Sequence, residues 1–188
     1  MLIKCTIQGV SPLLCNRFTE AAQEKIANGS SGALRGSQAL PREQCEAKLY
    51  RTPDGKAVLP SANLLRAIVD AGTFVKSGKS KLSTQRSSII PAGVSIVETE
   101  LNIMPGKWEA DSRAVVNPAT GGRMMCHRPR FDEWKASFTL DVDDSMFSEK
   151  LVRELVDLAG QRIGVGDFRP ARKGPFGRFR VDGWKKAQ

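Results

Sequence analysis

Three patterns in the sequence predict an α+β fold, an antiparallel sheet covered on one face by helices. The opening residues and the stretch around Trp134 to Val142 alternate apolar and polar side chains with a period of two, as half-buried strands do. Apolar stripes at helical spacing follow Ser61 and Ser148. Strands and helices do not alternate one for one, which excludes a doubly wound parallel sheet.

The elements follow in order. Leu2 to Val10 reads as a strand with Ile3, Cys5 and Ile7 on one face and Lys4, Thr6 and Gln8 on the other. Ser11-Pro12 breaks it, and Thr19 is placed to cap a helix over Glu20–Ala27. Gly29 to Ala39 is rich in glycine and serine and reads as a surface loop. Pro41 suits a first helical position, with a helix to about Leu49. Leu49–Arg51 and Lys56–Leu59 flank an Asp54-Gly55 turn, the signature of a hairpin. Ser61 is expected to cap a helix with Leu64, Leu65, Ile68 and Val69 inward and Gly72 as its stop. An exposed basic loop, Lys76 to Arg86, precedes a strand from about Gly93 to Met104, whose inward positions are Val94, Ile96, Leu101 and Ile103.

In the second half, Val115-Val116 and Arg123–Arg130 read as strands across the turn Asn117–Gly122. Trp134 to Val142 is the cleanest alternation in the chain. Ser148 caps a helix through Ala159 with Leu151, Val152, Leu155, Val156 and Leu158 inward, and Gly160 is expected to end it. A glycine-rich segment, Gly164 to Gly177, leads to a last strand, Arg178–Val181. The simplest assembly is strand-helix-strand-strand-helix-strand, the ferredoxin-like kind. It makes residues 1–188 one domain, with insertions at about 29–60 and 72–130.

Composition bounds the function. In 188 residues, 40% hydrophobic and 26% charged content are those of an ordinary folded protein. No apolar run approaches the roughly 20 residues of a membrane span. The N-terminus alternates where a secretion signal would be continuously apolar, so a cytoplasmic location is expected. Cys5, Cys15, Cys45 and Cys126 form no CxxC pair, which suits reduced thiols and supplies neither a disulfide framework nor zinc ligands. Lys and Arg number 29 against 20 Asp and Glu, a net charge of +9. Residues 161–188 alone hold eight cations and two acids, and residues 73–90 hold Lys76, Lys79, Lys81 and Arg86 with no acid. Segregated charge of this kind is the footprint of a polyanion binder.

The most informative stretch runs from Gly160 to Phe179. Its Gly164 and Gly166 make a GxG, but a helix precedes it and a strand follows, the reverse of a dinucleotide fingerprint. No P-loop occurs anywhere, and no cofactor or metal is expected. Glycines let phosphates approach main-chain N–H groups, and Arg162, Arg169, Arg172, Lys173 and Arg178 add charge. Phe168, Phe176 and Phe179 are available either to stack on bases or to fill the core, and the core reading is favoured.

This helix-to-strand glycine loop resembles the C-terminal loop of the RAMP superfamily, the RRM-like proteins of CRISPR systems. Lys56 to Ala67, containing Pro60-Ser61-Ala62-Asn63-Leu64-Leu65-Arg66, is similar to the strand, IPxSSLKGxxR, helix signature of their backbone subunits. The opening strand running through Gly9 into Ser11-Pro12-Leu13-Leu14 agrees with the same order. The match covers about a third of the chain and departs from the family at Asn63-Leu64-Leu65, where Ser-Leu-Lys-Gly is usual. A CRISPR component and a phage or mobile-element relative both fit.

The resemblance implies a ferredoxin-like core binding single-stranded RNA through its backbone, often as a multimer along the strand with other ribonucleoprotein subunits. It assigns contact to Ser61, Asn63, Arg66, Gly164, Gly166, Arg169, Gly174 and Gly177. Charge adds Lys76, Lys79, Lys81, Arg162, Arg172, Lys173 and Arg178. A protruding hairpin bearing Arg123, Met124, Met125 and Arg128 is a candidate wedge between bases, since flexible apolar side chains suit that task.

Two rival readings remain at this level. The single histidine, His127, among arginines is the candidate general base of a metal-independent endoribonuclease. Alternatively the basic face docks an acidic protein partner. The leading expectation is a non-catalytic protein binding single-stranded nucleic acid, RNA before DNA, with no membrane role.

Overall fold

The computed structural model describes residues 1–19, 23–24, 27–28, 39–116 and 121–186. In chain order the strands are β1 (Leu2–Gly9), β2 (Leu13–Leu14), β3 (Val58–Pro60), β4 (Lys76–Ser77), β5 (Ser80–Lys81), β6 (Val94–Ile96), β7 (Glu100–Asn102), β8 (Glu109–Val116), β9 (Arg123–Phe131), β10 (Lys135–Val142) and β11 (Phe179–Lys186). The helices are α1 (Pro41–Glu46), α2 (Ser61–Ala71), α3 (Ile90–Gly93) and α4 (Glu149–Leu158). The fold is α+β. The predicted helix over Glu20–Ala27, the Gly29–Ala39 loop and the turn at Asn117–Gly122 fall mainly outside the described residues.

The largest sheet has the spatial order β11-β1-β10-β6, antiparallel throughout. The alternation of β1 sends Ile3, Cys5 and Ile7 inward to meet Ala136, Phe138, Leu140 and Val142 of β10 in one core. Helices α2 and α4 add Leu64, Ile68, Val152, Leu155 and Val156 to that core, and they touch each other. Burying each of the larger side chains is worth about 1.5–3 kcal/mol, so the sheet and helix pair hold one another. A second sheet, β2-β9-β8, stands beside the first, and a two-stranded pair joins β3 to β7.

Several local expectations are corrected. Pro60 flanks α2 and Ser61 is its first residue, so the Ser61 hydroxyl caps nothing; its amide donates instead to Thr99 O at 2.9 Å. The buried stripe of α2 is Leu64, Ala67, Ile68 and Ala71, with Leu65 and Val69 on its flank, because a helix presents i, i+3, i+4 and i+7 on one side. The strand expected over Gly93–Met104 is two strands in two sheets. Glu98 ends the first part: its carboxylate accepts the Thr139 amide at 2.7 Å and the Thr139 hydroxyl at 2.9 Å, taking the place of a continuing β6 carbonyl. The chain then crosses to pair with β3. The hairpin about Asp54-Gly55 survives as a turn, Thr52 N donating to Lys56 O at 3.0 Å, with one bridge between Arg51 and Ala57.

Gly160 does not end α4. The helix widens into a turn in which Gly164 N donates to Ala159 O at 2.8 Å, and Gly164, at φ 73°, ends it. Gly160 has a packing reason: a side chain there would strike the carbonyl of Phe179 in β11. The last strand is also longer than expected, running to Lys186, with its register against β1 shifting between Thr6 and Ile7.

Candidate nucleic-acid interface

The loop after α4 is tied down at nearly every step. Val165 N donates to Gly177 O at 2.9 Å, Asp167 N to Leu14 O at 2.8 Å, Gly177 N to Pro12 O at 2.8 Å, and Arg178 N to Ser11 Oγ at 3.0 Å. Gly166 N donates to Asn63 Oδ1 at 3.0 Å, and Gly174 N to Arg169 O at 3.0 Å. A Cβ on Gly174 would collide with the Phe168 carbonyl, and one on Gly177, at φ 70°, with the Val165 carbonyl. The glycines are therefore required for the loop to close on itself. This corrects the expectation that they offer free amides to phosphate, since the amides of Gly164, Gly166, Gly174 and Gly177 all donate within the protein.

The structure brings three predicted pieces together here. Asn63, near the start of α2, holds the loop through Gly166. Arg128 of β9 is 7% exposed and reaches Asp167 of the loop at 3.2 Å, with Asn16 bonding the same carboxylate at 3.1 Å. Arg113 of β8 lies over the Phe176 ring at 4.9 Å and is held in a fork by Asp111 at 2.6 and 2.9 Å. Asp111 is 5% exposed; the hydrogen bonds from Arg113 hold its carboxyl below the usual range, against the opposing effect of burial. Arg130 closes this set, facing Asp111 at 3.5 Å and Asp132 at 2.8 Å.

Other cations near the loop have no such partners. Arg172, Lys173 and Arg178 are exposed, and among the described residues none holds an ion pair. Lys173, at φ 60°, follows the single turn Pro170–Arg172. Lys76, Lys79 and Lys81 of the β4–β5 ribbon are likewise exposed and unpaired among the described residues. Arg162 connects the two groups, its guanidinium 4.8 Å from the ring of Phe74 just before β4. Arg169 turns inward onto Gly166 O at 3.0 Å, and Arg66 is paired with Asp70 at 2.9 Å. Phe176 and Phe179 are buried core residues, while Phe168 is 37% exposed.

The candidate wedge lies farther out on the β8–β9 ladder. Met125 faces Ala114 and is 53% exposed, Met124 is half-buried opposite Val115, and Arg123 is exposed opposite Val116. His127 pairs with Ser112, whose hydroxyl lies 2.7 Å from Nδ1, and its carbonyl accepts from Lys48 Nζ at 2.6 Å. Sequence reasoning singled out Arg113 only as one of the arginines of the hairpin strands, and missed Asn16, Lys48 and Asp167. Only Asp167 carried a local signal: it is the one acid between Gly160 and Phe179. An isolated acid among cations is a natural internal ion-pair partner.

No protein-family model matches the chain, and no curated protein matches it. A solved structure does: a chain of the cryo-electron microscopy structure of the Type III-B Cmr-beta bound to cognate target RNA. The TM-score is 0.55 at 10% identity, covering 98% of this chain and 59% of the other. At that identity the likeness is one of fold. The chain thus spans about three fifths of the length of the structure it matches.

Proposed function

We propose that the chain binds single-stranded RNA through its phosphate backbone, without cleaving it, on a ferredoxin-like, RRM-like core of the RAMP kind. The strand order β11-β1-β10-β6 with two helices on one face supports that core. The shared fold with a subunit of an RNA-bound Cmr complex supports a ribonucleoprotein setting. Residues 1–188 then form one domain with insertions at about 29–60 and 72–130, which hold β3, the β4–β5 ribbon and the β8–β9 hairpin, although β6 within the second interval pairs with β10 in the main sheet.

One observation carries the reading. Around the glycine loop and the β4–β5 ribbon, Arg172, Lys173, Arg178, Lys76, Lys79 and Lys81 stay exposed and unpaired among the described residues, while the arginines at the foot of the hairpin are held by carboxylates. Uncommitted cations on a rigid frame are what a polyanion meets. Arg162 is exposed beside Phe74 and adds to the set, while Arg169 would have to give up its bond to Gly166 O to join it. The outer part of the β8–β9 ladder, with Arg123, Met124 and Met125, is the proposed wedge between bases; Asn63 acts by fixing the loop through Gly166, and Ser61 remains a proposed contact at the start of α2. Several copies assembling along one strand would make this surface continuous.

Six cations neutralising one phosphate each give a slope of log K against log salt near −4 for a single strand. Fluorescence anisotropy with a labelled single-stranded RNA and the matching DNA, between about 50 and 200 mM salt, tests this. The expected result is steep salt dependence with the RNA recovered intact. Absence of binding at the lowest salt would overturn the reading. Cleavage that survives EDTA and disappears in His127→Ala would replace it with an endoribonuclease. A nuclease-resistant complex with an acidic protein would replace it with a docking protein.

A further inference from the structure

A cleft of about 620 Å³ opens at the inner end of the β8–β9 ladder, where Glu109 faces Arg130. Its walls are Arg42 of α1, the segment leading into β8 with Lys107 and Trp108, and the turn after β9 with Asp132 and Glu133. This volume is in the range of small-molecule sites and far below what a folded polymer needs. Arg42 places its guanidinium over the Trp108 ring, 5.0 Å from the centroid, and the inner side of Trp108 packs against the core. The result is a flat, two-layer platform backed by a fixed indole. Planar guanidinium groups and aromatic rings are the surfaces on which unstacked bases settle.

The charges sort themselves further. Arg130 is neutralised by Asp132 at 2.8 Å and Glu109 at 3.5 Å. Among the described residues, Arg42, Lys107 and Glu133 hold no ion pair. The cleft thus offers two cationic donors and one carboxylate acceptor beside a stacking surface. A carboxylate accepts only. Guanine alone among the four bases presents two adjacent N–H donors, N1–H and N2–H, on one edge, and it presents O6 and N7 as acceptors on another. With Glu109 and Asp132 spent on Arg130, the charges left are Arg42 and Lys107 against Glu133, so it is the acceptor-only carboxylate beside the stacking surface, not repulsion, that favours a base with two N–H donors.

We propose that this cleft takes a single unstacked guanine base, stacked on the Arg42–Trp108 platform, with Glu133 accepting from N1 and N2 and Lys107 donating to O6 or N7. In the chain's working state the base belongs to the bound strand, so the inference rests on the RNA reading. The site itself is defined by chemistry that a free nucleoside satisfies.

The test uses the full chain and the four uncharged nucleosides guanosine, adenosine, cytidine and uridine, followed by saturation-transfer NMR. Guanosine is expected to bind about tenfold more tightly than the other three, the discrimination that a bidentate pair provides. Glu133→Gln should bring guanosine to the level of adenosine, and Arg42→Met should weaken all four, with unchanged circular dichroism melting in both. Equal binding of the four nucleosides, or guanosine binding that neither substitution alters, would overturn the proposal. Nucleosides carry no phosphate, so failure here leaves backbone binding by the basic loop untouched. Conversely, a protein that takes guanosine but ignores a labelled strand contradicts the RNA reading and not the cleft.

Discussion

Two sets of three cations, Arg113, Arg128 and Arg130 at the foot of the β8–β9 hairpin and Arg172, Lys173 and Arg178 in and beside the glycine loop, are treated differently by the fold. At the hairpin, Arg113, Arg128 and Arg130 are each held by a carboxylate, Asp111, Asp167 or Asp132. In the loop, Arg172, Lys173 and Arg178 have no carboxylate partner among the described residues. The first set is committed within the fold; the second, on the proposed reading, is left for a bound strand. Net charge along the sequence does not separate them, because both stretches read as basic; the pairing does, through Asp111 and Asp132 two residues from Arg113 and Arg130 and through Asp167, brought to Arg128 by the fold.

The comparison is broken most severely at Arg128. Arg128 is nearly buried, but its partner Asp167 is a third exposed and keeps a bond from Asn16, so Arg128→Ala leaves a partly solvated carboxylate beside a hole, and about 2 kcal/mol of stability is expected to go. At roughly 2–4 °C per kcal/mol for a chain of this size, thermal melting should move down by about 6 °C. Gly177→Ala comes next. Its left-handed backbone costs about 1–2 kcal/mol with a side chain, and the collision with the Val165 carbonyl adds to that. Melting should fall by several degrees, and RNA affinity with it, since the loop no longer closes.

Titration sharpens the difference. The Asp111 carboxyl is depressed in the folded protein by Arg113, so its stabilisation is full above the ordinary carboxylate value and is lost as pH falls through and below it. Acid melting should therefore loosen the hairpin first, seen as early loss of hydrogen-exchange protection at β8 and β9. The opposite limb comes from the buried thiols. Burial pushes Cys5 and Cys15 up to about 12 from about 9, so stability should decline as pH rises across that interval. Denaturant melts at a series of alkaline pH values, beside Cys5→Ala, check that sign.

The smallest effects belong to exposed charges. Arg66→Ala removes an exposed pair four residues apart on α2, and about 0.3–0.5 kcal/mol is expected in urea melts. Alanine at Arg172, Lys173 and Arg178 should move stability by no more than about 0.5 kcal/mol. On the proposed reading their effect is on RNA affinity.

Much of the frame was legible because strand and helix periodicities are local. The alternation of β1 and β10 and the stripe of α4 needed only their own residues. What escaped depends on partners far away in sequence. The division of residues 93–104 into two strands turns on Glu98 reaching Thr139. The end of α4 moves from Gly160 to Gly164 because β11 passes too close for a side chain at Gly160. For the site, the basic loop and the helix start near Asn63 were visible as composition and spacing. That the loop glycines exist to close the loop was not, since their carbonyl neighbours are Val165 and Phe168 folded back from within the same segment. The Arg42–Trp108 cleft left no trace in the sequence, its walls coming from three separate stretches.

The most direct test is the salt dependence of single-stranded RNA affinity for three proteins: the parent, the Arg172→Ala/Lys173→Ala/Arg178→Ala variant, and Arg113→Met. Three lost phosphate contacts should flatten the slope of log K against log salt by about 2 in the triple variant, while Arg113→Met leaves it where it was. A slope unchanged in the triple variant, or flattened as much by Arg113→Met, would contradict the division between binding and folding cations.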